Sequence, residues 1–224
     1  MHSNISQTLR AISFDVTRGA FYSEVPNVVI RPIESDGELD EVYRITHDAY
    51  VERGYCRPRP AGRLVHYPHL DGISETTVFV AVVEGTIVGT NSLTVDGPAG
   101  LQVDEDFKTE CDEIRKEGRM LAASWRLATR NAYRDERNVI MGLIKETVMC
   151  AVDMGVLTCV FTFNPRHERV YQRLLNMKTV VRSEGTAGLD NAPAVFMRCD
   201  VENLPEWADR LRNPSSRVLS CVAG

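Results

Sequence analysis

No apolar run in the sequence approaches the roughly 20 residues that a membrane-spanning helix requires, so no membrane span is expected. The segment from Met1 to Phe21 carries Arg10, Asp15 and Arg18 and lacks the apolar core of a secretory signal, which predicts a cytoplasmic protein. No Gly-x-Gly-x-x-Gly or Walker A string occurs, so nucleotide folds built on a glycine-rich phosphate loop lose support. The six cysteines, Cys56, Cys111, Cys150, Cys159, Cys199 and Cys221, form no Cys-x-x-Cys pair. Zinc knuckles and thiol redox motifs need tighter spacing, and buried free thiols are the reading that remains. Positive charge is not in excess: 26 Lys and Arg stand against 31 Asp and Glu, a net charge of −5, which speaks against a general nucleic-acid binder.

What is present suits one globular domain: 224 residues, 43% apolar and 25% charged. Residues 1–26 have weak periodicity and read as an N-terminal arm with a short helix; residues 27–224 read as a single domain. A strand is expected at 27–33, and then a helix from Ser35 to Gly54 with Leu39, Val42, Tyr43, Thr46 and Tyr50 at helical spacing. Residues 55–72 hold Pro58, Pro60, Gly62, Pro68 and Gly72 and form a long loop, a kind often functional. Strands 76–83 and 87–95 join through Glu84-Gly85-Thr86 as a hairpin. A helix over 104–117 carries Phe107, Cys111 and Ile114 on one face. A strand over 120–129, a helix over 138–154 ended by Gly155, a strand over 156–163, a helix over 165–175, strands at 179–182 and 194–200, and a helix over 205–211 complete the order. That order, β-α-ββ-α-β-α-β-α-ββ, predicts an α/β protein with a mixed sheet and helices on both faces.

The order resembles the Gcn5-related N-acetyltransferase fold over most of residues 28–201. The resemblance is sharpest in Phe163-Asn-Pro-Arg-His-Glu-Arg-Val-Tyr-Gln-Arg-Leu-Leu-Asn-Met177. Asn164 and Tyr171 match the superfamily's asparagine after the fifth strand and its helix tyrosine, and Asn176-Met177 stands in place of glycine-phenylalanine. The resemblance implies that Tyr171 protonates the leaving thiolate, a task suited to a phenol with a pKa near 10; a core tyrosine on an amphipathic helix is the other reading. The superfamily's glycine-bearing turn for the CoA pyrophosphate is replaced by Arg130-Asn-Ala-Tyr-Arg-Asp-Glu-Arg137, which has no glycine for close backbone approach. An acyl carrier protein, whose phosphopantetheine thioester has no pyrophosphate, then becomes the expected donor, with Arg130, Arg134 and Arg137 meeting this acidic partner. The alternative for the arginine loop is a solvated surface offset by Asp135 and Glu136. No tightly bound cofactor is implied.

Within the autoinducer synthase-like branch, Ala49 to Cys56, Gly118 to Ala128 and Asn164 to Tyr171 are similar to the long-chain N-acyl amino acid synthases, including N-acyltyrosine synthases. The group's fourth strand, Leu-Ala-Glu-x-x-Arg-Leu, appears as Leu121-Ala-Ala-Ser-Trp-Arg-Leu127, with Ala123 in place of the glutamate. The implied reaction moves a long-chain acyl group from the thioester to the α-amine of an amino acid. Base candidates are Glu52, Asp48, His47 and His167, and the alternative for the two acids is exposed helix charge. The resemblance places oxyanion donors in the backbone around Ala123, Ser124 and Trp125. Arg126 or Arg44 suits the acceptor's carboxylate; Tyr50, Tyr55 and Tyr67 suit an aromatic acceptor. Trp125, Val160, Phe161 and Phe163 line an acyl channel or simply pack the core. Asn164 belongs to the substrate site. His66-x-x-His69 has no third ligand, so no metal is expected. An acyl-homoserine lactone synthase and a non-catalytic acyl or carrier-protein binder are the rival readings.

Overall fold

Alternating apolar residues and tight turns build the sheet, and helical apolar stripes cover it. The computed structural model describes residues 28–209. The N-terminal arm, its short helix, Cys221 and the expected continuation of the last helix to Leu211 lie outside the described residues. The order is β1 (Val29–Pro32), α1 (Asp36–Glu52), β2 (Thr76–Val83), β3 (Thr86–Val95), α2 (Asp104–Arg115), β4 (Leu121–Thr129), α3 (Arg137–Asp153), β5 (Thr158–Phe163), α4 (Glu168–Leu175), β6 (Lys178–Ser183), β7 (Ala194–Asp200) and α5 (Glu206–Asp209). These elements match the expected order. Ser35 caps α1 by accepting a bond from the Glu38 N–H, as expected of a serine before an acidic first turn. Glu84 and Gly85 both have positive φ, 48° and 76°, the conformation a two-residue hairpin turn needs.

The seven strands lie in the order β1-β2-β3-β4-β5-β7-β6. Among the described residues only β4 and β5 are parallel; every other pair is antiparallel. Successive side chains on a strand point to opposite faces, and this parity divides the core. Ala122, Cys159, Phe161, Val195 and Met197 pack with Val139, Leu143 and Leu174 from α3 and α4. Ala123, Val160 and Phe196 pack with Phe107, Cys111 and Ile114 from α2. Helices therefore cover both faces. Two differences from expectation have local causes. The fifth strand begins at Thr158 because Gly155, at φ 79°, turns the chain and Val156 bonds back to the Ala151 carbonyl at the helix end. The segment after Asn164 opens with a 3-10 turn, Pro165–His167, before α4.

Candidate active site

The site starts where the parallel pair of β4 and β5 comes apart. Pairing of β4 with β5 runs from Leu121–Thr158 to Ser124–Phe161 and stops. On its other edge β4 bulges: Trp125 pairs with Ser92 and Ala128 with Thr90, leaving Arg126 and Leu127 opposite Asn91 alone. Arg126 has φ 62°, the left-handed conformation that a non-glycine residue adopts at a bulge under tertiary constraint. Beyond the last pair the strands border a cavity of about 750 Å³, within the size range of small-molecule sites. Ile140, Ile144 and Val148 of α3, Phe161 of β5 and Leu174 of α4 give it an apolar interior, and Tyr50, Tyr55, Arg134, Asn164, Arg166 and His167 also line it.

Tyr171 lines this cavity with its ring stacked on Phe163, centroids 3.8 Å apart and planes 7° from parallel. Burial, then the neighbouring Tyr50 and Tyr55, push its phenol well above the ordinary value. The group stays protonated near neutrality and is chemically able to donate. Phe163 also stacks on Phe161 at 5.6 Å. Tyr50 meets Tyr55 edge to face at 5.7 Å, and burial raises the Tyr50 phenol to about 12.

His167 Nε2 lies 3.0 Å from the Tyr55 hydroxyl and 3.2 Å from Arg166 Nε, and Arg166 Nη2 donates to Tyr55 Oη. Burial and the charges of Arg166 and Arg53 lower the His167 pKa from 6.5 to about 4. The native protein keeps this imidazole neutral where an unfolded chain takes up a proton. Stability should therefore fall as pH drops from about 6.5 toward 4, then level off below that window. Urea midpoints over this range should show the fall, and His167→Gln should shrink it; an unchanged slope in the variant would assign the titration to another group.

The other expected residues are distributed as follows. Glu52 is exposed and pairs with Arg134 at 3.1 Å, both lining the cavity. Asn164 lines it too, but its carboxamide oxygen caps the following turn by accepting from the Arg166 N–H. Ser124 and Trp125 line it; Trp125 Nε1 donates to Thr94. Ala123 and Val160 face away, into the core under α2, because side chains alternate along β4 and β5. Arg130 is drawn inward: its Nε donates to the Ile87 carbonyl at 2.7 Å and its guanidinium pairs with Glu41. Arg134 and Arg137 remain among the cavity's walls. His47 is buried, with Nδ1 beside Asp48 and Nε2 accepting from the Arg59 N–H, so its ring fixes the long loop. Arg44 pairs with Asp40 on the surface.

Arg126 is the most constrained group. Its side chain is 1% exposed, and Nη2 donates to both Asp71 oxygens at 2.9 and 3.0 Å. The guanidinium lies 4.0 Å from the Trp125 ring centroid and 5.4 Å from that of Tyr43, and Tyr43 donates to Asp71. Its Nε and Nη1 are buried without a partner. Asp71, Tyr43, Arg166, Asn91 and Thr147 were not anticipated from the sequence. Arg166 had the best signal, two positions from Asn164 in the matching segment; Asp71, in an aperiodic loop, had none. Among the described residues no group of three or more His, Cys, Asp or Glu is placed to hold a metal, and no helix is long and apolar enough to cross a membrane.

The model of the family N-acyl amino acid synthase FeeM matches residues 41–200. Among solved structures, FeeM, an N-acyl amino acid synthase from uncultured soil microbes, is similar at 24% identity and a TM-score of 0.69, covering 82% of this chain and 94% of that chain. The CoA-dependent acyl-homoserine lactone synthase BjaI, solved with MTA, is similar at 16% identity and TM-score 0.59, covering 84% and 91%. Escherichia coli ElaA is similar at 12% identity and TM-score 0.53, covering 78% and 100%. At these identities the structural likeness is one of fold. No curated protein matches the chain in sequence.

Proposed function

Because the chain belongs to the FeeM family of N-acyl amino acid synthases, whose model spans residues 41–200, we propose that it takes a long-chain acyl group from an acyl carrier protein and places it on an aromatic amino acid such as tyrosine. The chain is an N-acyltransferase that forms N-acyl amino acids; donor and acceptor are the proposal. The observation that carries it is the single cavity that joins apolar walls on α3, β5 and α4 to polar groups from the arginine segment, α1 and the long loop.

In this reading the acceptor's α-amine attacks the thioester carbonyl carbon. A C–N bond forms as the carbonyl becomes an oxyanion, and collapse breaks the C–S bond. Backbone N–H groups at the interrupted ladder around Arg126 and Leu127 stabilise the oxyanion, a shift along β4 from the segment around Ala123. Tyr171 gives its proton to the departing thiolate and regains one from water, which balances the proton the amine releases. The proton lost by the amine passes to the Tyr55–His167 pair; an imidazole with a low pKa holds it weakly and releases it to water. His167 is favoured over Glu52 as the acceptor of that proton because Glu52 is exposed and already paired with Arg134. Arg126 supplies the positive charge that favours the acceptor's carboxylate, and Tyr50 and Tyr55 meet its ring.

The donor assignment rests on the absence of glycine from residues 130–137 and on Arg134 and Arg137 at the cavity. The exposed Arg134–Glu52 pair is worth at most about 1 kcal/mol, so Arg134 is readily released to a phosphate or to acidic carrier-protein residues. With matched acyl chains, kcat/KM should favour the carrier-protein thioester over acyl-CoA by about 10²-fold at low salt, the scale electrostatic steering supplies, and the ratio should narrow as salt rises. Equal use of acyl-CoA would overturn this donor.

A further inference from the structure

We propose that the acyl channel is built for a chain bearing an oxygen substituent near its thioester end, recognised by Asn91 and Ser124 with Thr147 behind them. The proposal rests on the acyl-transfer reading of the cavity. Asn91, Ser124 and Thr147 are 2%, 8% and 3% exposed, and all three line the cavity. Their bonds run in one direction. Ser124 Oγ donates to Asn91 Oδ1 at 3.2 Å, Asn91 Nδ2 donates to Thr147 Oγ1 at 2.8 Å, and Thr147 Oγ1 donates to the Leu143 carbonyl at 2.8 Å. An amide carries two N–H groups and a hydroxyl two lone pairs. The chain of bonds thus uses one Asn91 N–H and leaves a second, and it leaves both Ser124 lone pairs as acceptors.

Around this trio the wall is apolar: Ile144, Val148 and Ala151 of α3 and Phe161 of β5. A saturated chain has no use for buried amide and hydroxyl groups there, and aliphatic side chains would contact it better without the desolvation cost. The place along the channel is set by β4. Ser124 is its last residue paired with β5, and it precedes the bulge residue Arg126 by two positions, about 7 Å of strand. The trio therefore meets the acyl chain a few bonds past the carbonyl rather than at its methyl end. A hydroxyl there accepts from Asn91 and donates to Ser124; a keto oxygen uses only the Asn91 donor. The order of preference is hydroxyl, then keto, then unsubstituted.

The test offers the purified full chain equal mixtures of carrier-protein thioesters of one length, 3-hydroxy, 3-keto and saturated, and reads N-acyl products by mass spectrometry. The 3-hydroxyacyl product should exceed the saturated one by about tenfold, the worth of one to two net hydrogen bonds, with the keto product between. Asn91→Leu should bring that ratio to one or below, and Ser124→Ala should erase the hydroxyl-over-keto margin; the second variant serves if the first does not fold. A saturated preference in the unmodified protein, or a ratio unmoved by both variants, overturns the inference. Absence of any N-acyl product would instead count against the donor and acceptor assigned above. Displacement of a fluorescent fatty acid by 3-hydroxydodecanoate or dodecanoate then decides the present point alone: tighter binding of the hydroxy acid supports it, and equal or weaker binding overturns it.

Discussion

Tyr171→Phe will lower kcat for acyl transfer by about 10²- to 10⁴-fold, the range general acid catalysis supplies, with little change in KM. The stack on Phe163 holds the ring in place with or without its hydroxyl, so the variant removes a proton and not a wall. Burial raises the phenol's pKa, which keeps the acid form dominant throughout the neutral range. A purely structural tyrosine would make the deficit independent of the donor. The acid role predicts otherwise: with an aryl thioester, whose thiolate departs without a proton, the Phe variant should recover most of the lost rate. Single-turnover rates with both donors provide the comparison, and equal deficits on the two would remove Tyr171 from the proton transfer.

Asp71→Ala will destabilise the fold by about 3–5 kcal/mol, the usual result of stripping one partner from a buried ion pair. Arg126 cannot lose its charge, its side chain is 1% exposed and that of Asp71 5%, and Tyr43 would lose its acceptor as well. Most domains are stable by only 5–15 kcal/mol, so the urea midpoint should drop sharply. The double variant Asp71→Ala/Arg126→Met should regain much of that loss, since replacing a buried pair by apolar groups is often neutral. If Arg126 also supplies the charge that favours the acceptor's carboxylate, the stable double variant will show a raised KM for the amino acid and an unaltered KM for the acyl donor. An unchanged acceptor KM would restrict Arg126 to a structural role.

How far the sequence could be read differed with the kind of interaction. The glycine-phenylalanine departure at Asn176-Met177 is instructive. Asn176 adopts the left-handed conformation at φ 51° that glycine commonly takes at a helix end, and Met177 is buried. The motif's geometry survives a change in its letters. The arginine loop reads the opposite way. Its letters suggested three equivalent cations, yet Arg130 reaches back to Glu41 and the Ile87 carbonyl, partners far away in the chain.

By itself, the sequence determined the element order, the two apolar faces and the segment bearing Asn164 and Tyr171. These follow from periods of 2 and 3.6 residues and from turn chemistry, all expressed within a few neighbouring positions. Only the tertiary structure decided that β7 inserts between β5 and β6, that β4 bulges at Arg126, that Asp71 neutralises that arginine across 55 positions, and that Tyr55 meets His167 across 112. Strand pairing, bulges and buried charge contacts depend on which distant surfaces close on one another. A carboxylate or a hydroxyl has no period along the chain that names its partner.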